Sequence, residues 1–452
     1  MTHSHPRGLY PLFFTEMWER MSYYGMRALL VLYMVAPAER GGLGMSDPVA
    51  AAIYGLYTAG VYLSALPGGW IADRLLGAQR SVWVGGWLIA TGHFSLAIPG
   101  TVSFFAGLVL VGLGTGLLKP NVSTLVGALY PGGGARRDAG FTVFYLGINL
   151  GATLGPLVCS TLGEKVHWHW GFGAAGLGMV AGLAQWAWTR GELAGLGHPP
   201  DGAAGEAAGN WTKVGLGLAG LVAVFVATAA GWIRLDPLAL ARWSTLAIVG
   251  LAGLWFGWLF LGAGLAATEK RRMGVVAVLF LASALFWGGY EQAGSSLNLF
   301  ADRYTRRVVA GFEVPTGWFQ ALPAALVMAW APLVAWGWLR LEARGMVPAL
   351  PLKIAGGLLL LAAGFLVLAA GSRQALATGP VGPGWLAATY LLHVWGELLL
   401  SPVGLSSVTQ LAPARRVGQV MGLWFLATPL GNPLAGLLAR SVGGEQNTQM
   451  PN

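Results

Sequence analysis

The sequence predicts an all-α, polytopic membrane protein, and three observations carry that reading. The chain is 55% hydrophobic and 10% charged, with a mean hydropathy of +0.62, far from a soluble domain of this length. Its apolar residues gather into long runs between short polar loops, of the roughly 20 residues that let a helix cross a bilayer. Its 70 Gly suit closely packed membrane helices, and its 21 Trp, 12 Tyr and 18 Phe suit interfacial belts and a stacking cavity. One cysteine, Cys159, excludes an internal disulfide framework. The net charge of +9 is spread over the loops rather than gathered on a domain, so it does not point to nucleic acid. With the N-terminus placed inside, the inside loops hold fifteen Lys and Arg against nine outside, and Arg20, Arg27 and Lys119 lie within spans. That asymmetry favours a cytoplasmic N-terminus.

The first span covers residues 10–35 and carries Glu16, Glu19, Arg20 and Arg27 in an otherwise apolar run. The segment MTHSHPRGLYP ahead of it offers no signal peptide: no small-residue cleavage site follows the apolar run, which is kept as a span. At about 100° per residue, Glu16, Glu19, Arg20, Tyr23, Tyr24 and Arg27 share one side of the helix. Charges are expensive in lipid, so that side faces protein or a polar cavity. Static ion pairing, with Glu16 and Arg20 at i,i+4, is the plainer alternative.

The second span, 49–72, ends in GGWIADRLLGAQR, a tight charged turn. The spacing of Gly69, Asp73, Arg74 and Gly77 resembles the loop between the second and third helices of the major facilitator superfamily, where the acid helps latch the inside gate. The third span, 81–98, is featureless. The fourth, 104–130, carries Lys119, Pro120 and Asn121; a lone lysine wants a partner, and the proline frees a carbonyl that a neighbour or cavity must satisfy. The fifth, in FTVFYLGINLGATLGP, sets Asn149 among glycines, and the sixth covers 168–188. A polar, Gly/Ala/Pro-rich stretch at 190–210 reads as an inter-domain linker. Two spans without interior charge, 214–233 and 243–266, read as lipid-facing packing helices.

Span seven, 273–300, places Glu291, Gln292 and Asn298 in an aromatic setting. Span eight, 318–339, ends in WGWLRLEARG, which repeats the position of WIADRLLG in the first half and fits two six-helix halves. Span nine, 354–370, is plain; span ten, 385–411, carries Glu397 centrally, and span eleven holds MGLWFLATPLGNPLAG. The polar tail RSVGGEQNTQMPN is too short to cross, which brings the expected count to about thirteen spans. The expected domains are an N-terminal half (1–190), a linker with two additional helices (191–271) and a C-terminal half (272–452).

Several of these segments resemble the proton-dependent oligopeptide transporters, the peptide transporter family of the major facilitator superfamily. EMWERMSYYG at Glu16 to Gly25 is similar to the ExxERFxYYG signature, with Met21 for Phe. FYLGINLG at Phe144 to Gly151 is similar to FYxxINxG, and GELLLSPVGL at Gly396 to Leu405 to the span-ten signature. KPN at Lys119, YEQ at Tyr290 and GLWFL at Gly422 follow in order. Bacterial members insert two helices between the halves, as the two bland spans do here. Two features depart from the family: nothing after Ala439 is long and apolar enough to span, so its twelfth helix is expected to be absent, and Pro323 stands where an asparagine that helps hold the peptide amine is expected.

The spans hold three cations against four acids, Glu16, Glu19, Glu291 and Glu397. An acid left over from pairing can take up and release a proton as its surroundings change. The expected activity is symport of protons, the coupling ion in place of any cofactor, with small peptides by alternating access. Glu16, Glu19, Arg20 and Glu291 are the expected proton-coupling residues. Arg27 and Lys119 are assigned to the peptide carboxylate, Glu397 with Asn149 to its amine. The resemblance adds Tyr23, Tyr24 and Tyr62 for the peptide backbone, Trp287, Trp424 and Phe425 for side-chain pockets and Ser401 beside Glu397. It also implies that Arg27 and the span-seven acid, and Lys119 and the span-ten acid, form pairs that break and remake. Asp73 and Arg74 are the expected gating pair. No catalytic residue, metal site or nucleic-acid module is expected; His167 and His169 lack ligand company, and His393, with no second histidine inside a span, reads as a packing or interfacial residue rather than a proton relay. The expected setting is a monomer among lipids of a bacterial cytoplasmic membrane. The rivals are another cargo, such as nitrate or a drug, a peptide sensor that moves nothing, and a membrane enzyme with Glu16 and Glu19 as acid and base.

Overall fold

The computed structural model describes residues 5–131, 134–193, 195–198, 204–309, 311–346 and 348–413, with Val420, Trp424, Ala427, Thr428, Leu430 and Gly431 beyond them. The described residues are overwhelmingly α-helical, as the sequence predicts. Among the described residues there are twelve helices of 19 residues or more, α1 (Leu9–Val35), α2 (Asp47–Ile71), α3 (Ala78–Leu96), α4 (Thr101–Ala128), α5 (Gly134–Lys165), α6 (Trp168–Thr189), α7 (Ala204–Ala229), α8 (Pro237–Leu261), α9 (Ala267–Tyr290), α11 (Leu322–Ala343), α12 (Leu350–Thr378) and α13 (Gly384–Leu411). A short helix, α10 (Ser296–Tyr304), follows α9. Among the described residues, eight segments are apolar enough to cross a bilayer on length and composition alone. The first span is not one of them, because Glu19 and Arg20 fall in the middle of α1 with Glu16 and Arg27 to either side.

The helices pack as two compact units. One holds Met1–Ala50, Tyr57–Asp236 and Phe312–Ala325; the other holds Ala51–Leu56, Pro237–Gly311 and Leu326–Asn452. In the first unit α1 packs mainly on α5 and α6, and α3 on α4 and α6. Helices α1 and α5 meet at glycines: a Cβ on Gly155 would stand 2.8 Å from Gly25 N, and one on Gly25 would stand 2.9 Å from Gly155 O. Such backbone approach gives membrane helices the contact that lipid cannot supply by exclusion. After α2, residues Ala72–Leu76 wind into a π turn that Gly77 closes at φ 75°, a left-handed value suited to glycine. In the second unit, Phe286, Leu361, Leu400 and Val408 form a core with Val420 and Trp424.

Three sequence expectations change here. Span seven is not one helix: α9 stops at Tyr290, a 3₁₀ turn covers Glu291–Gly294, and α10 starts afresh. The break falls at Ser295, whose backbone leaves the helical region at φ −125° and ψ −94° while its N–H donates to Gln292 O at 3.1 Å; the hydroxyls of Ser295 and Ser296 both donate to Gln292 Oε1, at 3.1 and 2.7 Å. Span eight likewise opens as a 3₁₀ turn, Thr316–Ala321, before α11. The polar stretch after α6 is held at its start: Arg190–Leu193 form a 3₁₀ turn with Leu193 buried, and Gln79 Nε2 donates to the carbonyls of Leu193 (2.9 Å) and Leu196 (2.6 Å). Helix α7 begins earlier than the hydropathy suggests, and its apolar stretch is exposed along its length, as a lipid-facing helix would be. Most of span eleven, and the expected absence of a twelfth helix, fall outside the described residues.

Candidate functional site

The charged side of α1 is buried in the first unit. Glu16, Glu19, Arg20 and Arg27 are 2%, 0%, 4% and 7% exposed, which places four ionisable groups away from lipid and bulk water alike. One guanidinium serves two carboxylates: Arg20 Nε stands 3.2 Å from Glu16 Oε1 and donates a hydrogen bond to Glu19 Oε2. Helix α4 faces the same cluster. Thr115 Oγ1 donates to Glu19 Oε1 at 3.4 Å. One turn further along α4, the half-buried Lys119 sets Nζ 4.8 Å from the centre of the Tyr62 ring on α2.

Tyrosines wall this cluster. The Arg20 guanidinium carbon lies 5.2 Å from the Tyr23 ring and 5.9 Å from the Tyr24 ring, and that of Arg27 lies 5.5 Å from Tyr24. Tyr57 of α2 stacks on Tyr23 with centroids 6.3 Å apart and an interplanar angle of 24°. Cations over ring faces are stabilised without a counter-charge, more so where water is excluded. Glu16 Oε2, Arg20 Nη2 and the Tyr57 hydroxyl have no hydrogen-bond partner among the described residues. Buried polar atoms are rarely left so, and three together mark a site with hydrogen-bonding capacity to spare. The sequence-predicted residues Glu16, Glu19, Arg20, Tyr23, Tyr24, Arg27, Tyr62 and Lys119 thus belong to one unit.

Asn149 is buried on α5, but its amide turns back and donates to Tyr145 O at 3.0 Å. Asn121 does the same on α4, to Leu117 O at 2.7 Å. Asp73 and Arg74 are exposed on the π turn after α2.

The second unit holds its own acids. Glu291 is buried at the start of the 3₁₀ turn that ends α9. Glu397 on α13 accepts a hydrogen bond from the Tyr290 hydroxyl, with Glu291 close enough to be felt electrostatically. Trp287 meets Phe286 and Tyr290 edge to face, at 5.7 and 5.4 Å. His393 packs against Phe365, 4.9 Å between centroids, which is the packing role its sequence context suggests. Trp424 sits in the apolar core of this unit. The Ser401 side chain and Phe425 lie outside the described residues.

Sequence reasoning missed Thr115 and Tyr57. The signal was available for Thr115, which stands four residues before Lys119 and so on the same helix face. It also missed Glu164 at the end of α5, whose carboxylate accepts from the backbone N–H groups of Thr316 (2.6 Å) and Gly317 (2.9 Å).

The sequence pattern of the POT family matches residues 79–194 and 263–450. A protein of Yersinia enterocolitica subsp. palearctica described as peptide transporter YePEPT is 42% identical over 463 residues, covering 99% of this chain and 90% of that one. A di-/tripeptide transporter of Lactococcus lactis subsp. cremoris is 36% identical over 438 residues, 93% of this chain and 86% of its own. A crystal structure of a peptide transporter POT in complex with sulfate superposes with a TM-score of 0.86 at 41% identity, covering 97% of this chain and 89% of that one.

Proposed function

The chain belongs to the POT family, and from that premise we propose that it is a proton-coupled symporter of di- and tripeptides that works by alternating access in a bacterial cytoplasmic membrane, with its N-terminus in the cytoplasm. The observation that carries the proton coupling is the buried cluster in which Arg20 bridges Glu16 and Glu19. Two carboxylates share the one guanidinium that bonds them, so the set tolerates a proton on one acid without losing its fold. Lys119 and Arg27, each set over a tyrosine face, are the cations assigned to the peptide carboxylate. Glu397, with Glu291 nearby, supplies anionic character for the amine. Asn149 enters that role only if its amide leaves Tyr145 O. Coupling requires that proton and peptide bind the two access states with different affinity. No cofactor is involved, and the working unit is a monomer.

The test is uptake of labelled dialanine into proteoliposomes under an imposed inward proton gradient, with and without a protonophore. Gradient-driven accumulation that unlabelled di- and tripeptides block is the expected result. Accumulation by Glu19→Gln against a gradient would remove Glu19 from the proton role, and uptake that peptides leave untouched would indicate another cargo.

A further inference from the structure

The threonines of the long helices show a shared habit. Thr153, Thr161, Thr228 and Thr245 each donate their hydroxyl to the carbonyl four residues back, at 2.8, 2.6, 2.8 and 2.6 Å. That bond is the default for threonine in a helix interior, because it satisfies the hydroxyl without leaving the helix. Thr115 departs from it. Its hydroxyl is directed to another helix, onto Glu19 Oε1 at 3.4 Å, with both residues fully enclosed, 1% and 0% exposed.

We infer that Thr115 is a positioning residue for the proton-carrying carboxylate: its hydroxyl holds Glu19 in the ionised, Arg20-bonded arrangement. The inference rests on the proton role proposed above for Glu19. Its physical basis is that a neutral O–H aimed at a carboxylate oxygen favours the charged form, and that in a dry site such a bond is worth more than it is in water. The groups facing Glu19 define its surroundings. From α1 itself these are Arg20 and Glu16, and from α2 the Tyr57 phenol. From α4 they are Thr115, with Lys119 one turn on acting on the neighbouring Glu16. Among the described residues, those that α5 and α6 bring against this stretch of α1 include Gly151, Gly155, Gly178 and Met179, none of them charged. Thr115 is therefore the neutral hydroxyl bonded to Glu19 from a helix other than its own. Because Thr115 and Lys119 share a face of α4, any displacement of α4 along α1 alters the contacts of Glu19 and Glu16 together.

The experiment compares Thr115→Val, Thr115→Ser and Thr115→Ala with the unmodified protein. Proton-driven dialanine uptake is measured across external pH and normalised to each variant's own peptide counterflow. Valine keeps the shape and removes the hydroxyl; serine keeps the hydroxyl. Loss of one such bond is expected to move the half-point of uptake by about half to one pH unit. Thr115→Ser is expected to stay with the unmodified protein and Thr115→Ala to follow valine. The inference is overturned if the valine and alanine profiles coincide with the unmodified one, or if serine moves as far as valine. An infrared titration of the carboxylic C=O band, assigned by difference against Glu19→Gln, reads the proton affinity of Glu19 without transport. If uptake by the unmodified protein ignores the gradient, the symport reading fails while the infrared titration still decides the role of Thr115.

Discussion

Replacing Glu164 with alanine is expected to lower the stability of the first unit by about 2 kcal/mol. The carboxylate at the end of α5 accepts from two successive backbone donors, Thr316 N at 2.6 Å and Gly317 N at 2.9 Å, at the opening of the 3₁₀ turn that precedes α11. Thr316 is 0% exposed, so its N–H gains little from water once the acceptor is removed. A buried donor left without its acceptor costs about 1–3 kcal/mol, and loss of a helix-cap acceptor typically costs about 0.5–2 kcal/mol. Glu164 itself is half-buried, so solvent replaces part of what it gave and the total settles near the lower sum. The turn retains Trp318, whose indole N–H lies 3.0 Å from Leu157 O and 2.9 Å from Thr161 Oγ1, and the ion pair of Lys165 with Glu313 at 2.7 Å. Unfolding is therefore expected to stay cooperative. Thermal denaturation of the purified protein in detergent reads the effect, with Glu164→Gln as the graded control, since its single amide oxygen keeps one acceptor. A melting temperature for Glu164→Ala within about half a degree of the unmodified protein would refute the reasoning, as would an equal loss for glutamine, because about 2 kcal/mol should shift a chain of this size by about two degrees.

Arg20→Met is expected to lose about 3 kcal/mol or more, since it strands two enclosed carboxylates that share one guanidinium; chemical denaturation with Arg20→Lys alongside measures it, lysine recovering part. Gly155→Leu is expected to cost about 1–3 kcal/mol by overpacking the α1–α5 joint, visible as a lowered melting temperature and reduced yield of monodisperse protein, whereas the same change at Gly215 on exposed α7 should be silent. Gln79→Ala removes two hydrogen bonds to Leu193 and Leu196 and is expected to speed limited proteolysis around residues 190–198 several-fold, without altering cleavage elsewhere.

Much of the fold was legible because helix length and apolar runs are set by bilayer thickness, a constraint that sequence alone reveals. The burial of one face of the first span was legible for a related reason: Glu16, Glu19, Arg20 and Arg27 violate the rule that lipid imposes, and their spacing puts them on one face. What stayed hidden depends on contacts between distant segments. That Thr115 bonds Glu19 needs the register of α4 against α1, and that Glu164 caps Thr316 needs a fold bringing residues 152 positions apart together. The break in span seven was hidden differently, because GGYEQAGSS keeps a hydropathic average compatible with one helix while the backbone of Ser295 leaves the helical region.

The packing of α1 has a mechanical consequence. Its backbone interlocks with α5 at Gly25 and Gly155 and rests broadly on α6, but it meets α4 over only a short stretch, and that is where the acids, Thr115 and Lys119 lie. Stiffness in this unit is thus unevenly distributed. Load applied to the helices is borne rigidly across the glycine joint and yields first along the charged seam, where ångström-scale sliding is resisted by side chains alone.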